Sequence, residues 1–427
     1  MSYFGAYFYI TILVFTYIFP IKFNFLPLDT GKLLVIYSFI VILLKYRCRF
    51  PYVWAKYIIF SMICILMAIS VMLLNMVYDG RFLLSMTALL SYTFPAILIG
   101  NSTVKICNYE HKSPIHVLLK IILSVIVLQG IISLAIFLIP NLKGIILNLI
   151  TIDGIPYDIE VFSFRLISLS KIQFGNMAVI YGLGLWIWIY ERFGNCDFCM
   201  RNKLRDILYL CIIIISGILS ARTFFLAIAV GFVYWSILVY KKYKLKVIVY
   251  LLFGAITIGL SFFILLSWLK NSEYQATYQW AFEWYINLLD GNVETKSTNV
   301  MKDMYVLPDN TSTWIFGDGK MTDNNGFFYM NTDIGYLRNL YRWGIVGSLI
   351  FYLILFALYR MNVERTNDNG IKSLFGVIII WTFIYQFKEL WAPTYIWPLF
   401  LGVLSYNKIT KNTSDIYNYD FNMHSNA

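Results

Sequence analysis

"IHVLLKIILSVIVLQGIISLAIFLI", residues 115–139, is mostly apolar, its one lysine and one histidine falling near the start and its one glutamine and two serines further along. A helix needs about 20 such residues to cross the hydrocarbon core of a bilayer. Comparable runs recur along the whole chain, and the composition agrees with them. Hydrophobic residues make up 59% of the 427, charged residues 13%, and the mean hydropathy is +0.68. A soluble chain of this length carries far more polar surface. The runs are continuous and do not alternate, which excludes a membrane β-barrel. The expected fold is an all-α polytopic membrane protein, one integral domain over 1–427.

Working outward from 115–139, the runs predict about twelve spans: 3–21, 33–45, 55–77, 82–100, 115–139, 172–190, 206–220, 222–240, 247–269, 343–360, 373–388 and 394–406. The opening "MSYFGAYFYITILVFTYIFPIK" lacks a cationic start and a small-residue cleavage site, so it reads as a retained first span. The linkers "KYRCRFPYVWAK" (45–56), "RNKLR" (201–205), "KKYKLK" (241–246) and "RMNVER" (360–365) are basic and fall on one face. The positive-inside rule makes that face cytoplasmic. Both termini are then inside, with a loose polar tail at 407–427, and two long segments, 140–171 and 270–337, lie outside.

The net charge of +11 follows that loop bias, so it does not point to nucleic acid. None of the six cysteines falls in the outer segments, so no disulfide framework is expected. "NCDFC" (195–199) is a lone pair and cannot by itself build a tetrahedral zinc site. His111, His116 and His424 all fall on the inner side. The outer side therefore has no histidine base, no histidine metal site and no paired-aspartate site for a divalent ion.

Cations on the outer side run against the loop rule, and this makes them informative. Arg165 lies in "FSFRLISLSKIQFGN" just before a span, and Arg222 in "LSARTFF" at a tight outer turn. "NTDIGYLRNLYRWGIVG" (331–347) carries Asp333, Arg338 and Arg342 at the mouth of the tenth span, the two arginines four apart on one helical face. Guanidinium is planar, permanently charged and grips phosphate oxygens in pairs. Snorkelling to lipid headgroups is the plainer explanation for any one of these arginines. Several at separate outer positions fit a diphosphate held at the membrane surface. Asp333 can cap the helix that follows it or take a proton from a hydroxyl. Asp153, Asp158, Glu160, Glu273, Glu283, Asp318 and Asp323 are further outer acids. In "SEYQATYQWAFEWYINLLDG" (272–291), Tyr274, Tyr278, Trp284 and Tyr285 recur at near-helical intervals, as on an interfacial helix whose rings can also stack on sugars. "GDGK" (317–320) reads as a turn.

Taken in order, these features resemble O-antigen polymerases of the Wzy type, which are related to the O-antigen ligases. Arg165 is followed by Gly175 at a span start, and "LSARTFF" resembles the family's serine–arginine turn. A large outer loop precedes the tenth span and ends in "TDIGYLRNLYRWGIVG". The likeness covers roughly 160–350. The Arg165–Gly175 spacing is a little shorter than in some members. Asp333 stands where the ligases place a histidine, which favours the polymerase.

The resemblance implies a membrane glycosyltransferase of the C type in the bacterial inner membrane, with a periplasmic active site and no metal or other cofactor. Its substrates would be undecaprenyl-diphosphate-linked oligosaccharide units, and a separate protein would regulate chain length. Asp333 would act as base or hydroxyl positioner, with Arg165, Arg222 and Arg338 on diphosphate. Arg342, Lys171, Gly175, Tyr336 and Trp284 would line the substrate. A ligase acting on lipid A-core is the nearest rival, and a lipid-linked oligosaccharide flippase the next. Transporters place charge mid-span and repeat internally. Here most charge lies at outer span ends and no repeat is evident. Lys388 and Glu389 in "YQFKELW" are the main exception, as a buried pair or a span end.

Overall fold

The structure is a computed structural model and describes residues 3–46, 52–110, 113–152, 164–194, 203–243, 267, 270, 274–291, 294–323, 326–390 and 395–405. The 247–269 span, the CxxC pair and the 407–427 tail lie outside the described residues, as do His111, His424, Asp153, Asp158, Glu160 and Glu273.

The described chain is helical: α1 Tyr3–Ile18, α2 Thr30–Tyr46, α3 Tyr52–Leu74, α4 Gly80–Ser91, α5 Thr93–Glu110, α6 Pro114–Leu138, α7 Pro140–Leu149, α8 Phe174–Ile189, α9 Lys203–Ser220 and α10 Phe224–Tyr243. Four short helices follow: α11 Gln275–Ala281, α12 Glu283–Leu289, α13 Lys296–Asp303 and α14 Thr311–Phe316. The chain then forms α15 Gly335–Val363, α16 Asn369–Tyr385 and α17 Ile396–Ser405. Four helices among the described residues are long and apolar enough to cross a membrane: Tyr52–Leu74, Gly80–Cys107, Pro114–Leu138 and Gly335–Val363. Five further apolar helices have 10 to 17 residues.

The centre of the bundle is α8, "FGNMAVIYGLGLWIWI", which packs against α6, α9, α10 and α16. It is apolar on every face and buried from Met177 almost to its end, as a helix surrounded by other helices must be. At the periphery, α3 presents Ile59, Met62 and Leu66 outward, and α15 presents Leu349, Leu353 and Phe356. A soluble protein does not leave large side chains like these in water. The chain is built as a helical membrane protein.

The connections gather at two ends. At one, Thr151 N donates to Lys22 O at 2.8 Å, Asn75 Nδ2 to Gly317 O at 3.0 Å and Tyr305 Oη to Phe387 O at 3.1 Å. At the other, His116 Nε2 and Tyr190 Oη are 2.7 Å apart, and Tyr190 Oη donates to Asp368 Oδ2 at 2.8 Å. The segments that the basic-linker argument puts on one side thus meet one another.

Two expected loops carry helices. α7 starts on Pro140, whose missing N–H costs nothing at a first helical position, and packs Leu142 and Ile146 toward Ile136 and Ile150. In 270–337, α11 to α14 form a small cap over the bundle end. α15 begins at Gly335 and not at 343, and it is broken at Gly344, where φ is +64°. A Cβ there would overlap the Ile315–Phe316 peptide, and one on Gly317 (φ +74°) would overlap Trp343–Gly344. Backbone meets backbone where α14 crosses α15, and only glycine permits it.

Asp79 ties the cap to the bundle. Its Oδ1 accepts from Arg81 N (2.9 Å) and Phe82 N (3.0 Å), capping α4, while Oδ2 accepts from Met321 N (2.7 Å) and Thr322 N (3.0 Å). Burial pushes this carboxyl up, but the four N–H donors outweigh it and hold it below the usual carboxylate range. The stabilisation is therefore present above the unfolded carboxyl's pKa of about 4 and is lost as pH falls below it. Asp79→Ala should cost about 1–2 kcal/mol from the cap alone. In thermal unfolding of the solubilised protein, the gap between wild type and Asp79→Asn should shrink on acidification.

Candidate functional site

The site is built from three places in the chain. The first is the turn into α8. Leu166 N donates to Leu219 O at 3.0 Å, pinning the turn to the end of α9. Ser168 N donates to Gln173 Oε1 at 2.9 Å, and Gln173 Nε2 donates to Ser168 O (3.0 Å) and Ser170 O (2.6 Å). This knot aims Arg165 at three rings, with Trp280 at 4.6 Å, Phe174 at 5.0 Å and Phe164 at 5.8 Å from its guanidinium carbon.

The second place is the turn between α9 and α10. Arg222 lies 5.5 Å from the same Trp280 ring and pairs with Glu283 Oε2 at 2.5 Å, with Ser297 Oγ accepting at 3.3 Å. Two guanidiniums therefore share one indole. Burial, then the Arg222 charge, lowers the Arg165 pKa to about 10, which leaves it cationic near neutrality. Its Nε is buried without a hydrogen-bond partner.

The third place joins the start of α15 to the end of α16. Tyr336 N donates to Gln386 O (3.3 Å) and Tyr336 Oη to Phe383 O (2.8 Å), so the two ends are stapled. Just past α16, Glu389 Oε2 accepts from Tyr385 Oη at 2.6 Å, and Oε1 from Asn176 Nδ2, at the start of α8, at 3.3 Å. A Cβ on Gly175 would stand 2.6 Å from Tyr385 Oη and nearer still to Glu389 Oε2. Gly175 is the opening that admits this carboxylate. Burial raises the Glu389 pKa; the Asp333 charge adds to that, while Tyr385, Arg338 and Lys388 oppose it.

Asp333 is half-buried, and burial raises its carboxyl against the pull of Arg338 and Lys388. It does not cap α15. The N-cap is Ile334, with no side-chain cap hydrogen bond. Arg338 is buried with its guanidinium 3.7 Å from the Phe328 ring, and its Nε has no partner. Glu389 feels the charges of Asp333, Arg338 and Lys388, and Lys388 those of Arg165 and Arg222. Arg165, Arg222, Arg338, Asp333, Gly175 and Tyr336 thus belong to one neighbourhood centred on Glu389 and Lys388.

Other expected residues lie elsewhere. Lys171 pairs with Asp29 at 2.9 Å and serves the α1–α2 connection. Trp284 packs on Phe225 at 5.5 Å and is 39% exposed, as an interfacial ring is. Arg342 is buried, coupled to Arg338 and Asp79, and its Nε and Nη2 are unpartnered. Trp280, the ring the site does use, is missing from the sequence reading. So is Glu389 as a site residue, although its burial beside Lys388 was one of two options there. A cavity of about 570 Å³ opens at the start of α4, lined by Tyr78, Asp79, Arg81, Lys320, Asp323 and Tyr329. Phe328 under Arg338 and Tyr329 on the cavity wall are adjacent in sequence. Among the described residues, no three His, Cys, Asp or Glu side chains are grouped to hold a metal.

No protein-family model, no curated protein and no solved structure matches the chain.

The contact at Gly175 has a measurable consequence. Gly175→Ala should destabilise by about 1–3 kcal/mol through overpacking against Tyr385 and Glu389. Gly376→Ala, inside α16 where a Cβ meets nothing within 4 Å, should be neutral or stabilising by up to about 1 kcal/mol. Parallel thermal unfolding distinguishes the two.

Proposed function

We propose that this chain is a Wzy-type O-antigen polymerase that joins undecaprenyl-diphosphate-linked oligosaccharide units at the periplasmic face of the bacterial inner membrane. In this reading the helices make about twelve crossings, both termini are cytoplasmic, and a separate protein sets chain length. The observation that carries it is the neighbourhood of Arg165, Arg222 and Arg338, whose cations outnumber the carboxylates bonded to them and whose buried Nε atoms at Arg165 and Arg338 lack partners. Buried unpaired cations are costly and mark a place for an anion. A lipid diphosphate supplies one at this depth.

The chemistry follows from the charges. A sugar hydroxyl of the new unit attacks the anomeric carbon of the growing chain, and the bond to the carrier diphosphate breaks. Negative charge develops on the leaving phosphate, where preplaced guanidiniums stabilise it without a protonating acid. Trp280 keeps Arg165 and Arg222 in place and partly desolvated, which strengthens their hold. The cavity at the start of α4 is of the size that takes a small ligand, and its tyrosines and charges suit sugar hydroxyls. A single displacement inverts the anomeric centre, so a product that keeps the donor configuration would rule this route out.

In a host lacking the chain, wild type should restore a lipopolysaccharide ladder. Arg165→Ala should lose about 3–4 kcal/mol of barrier lowering, on the order of a hundred- to a thousandfold in rate. Arg165→Lys keeps the charge but loses the fork and should fall between. Normal ladders from both, at equal protein level, would remove Arg165 from the site. Bare core in the deleted host, in place of single-repeat lipopolysaccharide, would turn the assignment to a ligase.

A further inference from the structure

We propose that Glu389, and not Asp333, is the group that takes the proton from the acceptor hydroxyl, an inference that rests on the polymerase reading. Three carboxylates are described in this neighbourhood. Glu283 is committed, with Oε2 on Arg222 and Oε1 accepting from Lys296 N at 2.7 Å. Asp333 faces the cations of Arg338 and Lys388, as Glu389 does, but makes no side-chain cap hydrogen bond to the start of α15. Glu389 differs in being aimed. Tyr385 Oη holds one oxygen and Asn176 Nδ2 the other, so the carboxylate plane is fixed by α16 and α8 together. Each oxygen keeps a lone pair for a third partner. The bare Cα of Gly175 lets the carboxylate seat against α8, and Gly335 packs on the Glu389 backbone, where a Cβ would stand 2.7 Å from its carbonyl oxygen.

A base must be oriented before its proton affinity matters. The groups facing Glu389 are Tyr385 and Lys388 from the end of α16, Asp333 and Arg338 from the start of α15, and Asn176 and Arg165 from around the start of α8. Burial and the Asp333 charge raise its proton affinity above that of an ordinary glutamate, which favours proton transfer at neutral pH. The step balances. The hydroxyl oxygen bonds the anomeric carbon, its proton passes to a Glu389 oxygen, and the carbon–oxygen bond to diphosphate breaks with its electron pair on phosphate. Arg165, whose charge reaches Glu389, and Arg222 on the same Trp280 ring meet that charge.

The test uses the full chain in proteoliposomes, with lipid-linked repeat units extracted from the deleted host, and measures initial polymerisation rate against pH. Wild type should show an acid limb set by a carboxylate. Glu389→Gln should lose about a hundred- to ten-thousandfold in rate and lose the limb. Glu389→Asp should recover part of the rate. Tyr385→Phe removes a donor that stabilises the ionised form, so it should move the limb to higher pH. Asp333→Asn should keep the limb.

A Glu389→Gln protein within tenfold of wild type with an unchanged limb would overturn the proposal. So would a limb that vanishes in Asp333→Asn. Unfolding curves accompany each variant. If Glu389→Gln does not fold, an unmoved limb in Tyr385→Phe overturns the proposal instead. Failure of wild type itself to polymerise at any pH is a separate result, which removes the polymerase reading and this proposal with it.

Discussion

A guanidinium keeps its proton in any protein environment, so burying one obliges the surroundings to answer its charge. At one end of this bundle that obligation is only partly met. Arg222 has Glu283, but Arg165 has aromatic faces and a carboxylate it does not touch, and Arg338 has the Phe328 ring. Rings attract a cation but leave its N–H donors unpaired. Two cations on a single indole also repel each other. Such a site is complementary to something with several acceptor oxygens and negative charge, and the proposed carrier diphosphate has both.

Holding like charges together requires a stiff frame. Here the frame includes close approaches that only glycine permits, of the Glu389 and Tyr385 side chains to Gly175 and of backbone to backbone where Gly317 meets Gly344. Asp79 adds a polar clamp between α4 and the cap. The break at Gly344 also lets the first part of α15 follow the cap while the rest runs through the bundle as an apolar helix.

Some of this was legible in the chain. Arg165, Arg222 and Arg338 stand out because the linker charges predict a side for them on which the loop rule disfavours cations, and the three come to one neighbourhood. The near-helical intervals in 272–291 pick out Tyr274, Tyr278, Trp284 and Tyr285 and pass over Trp280. The helix is interrupted at Phe282, where φ is −111° and ψ 17°, so α11 and α12 present different faces. The position of Asp333 before the helix allows both a cap and a base. The helix takes Ile334 instead, and Asp333 answers Arg338 and Lys388 through space. Glu389 was ambiguous because a carboxylate ending an apolar run looks the same whether it ends in water or in a cluster.

The order of the amino acids by itself determined the class of the protein, the position of most helices and which connections share a side. Apolar run length and linker charge are local quantities, and the bilayer reads them segment by segment. Only the tertiary structure decided which charges meet. Residues 165, 222, 280, 333, 338 and 389 are joined by helix packing and two glycine contacts, over separations that no periodicity spans. Their proton affinities follow from burial and mutual distance, which exist only once the helices have packed.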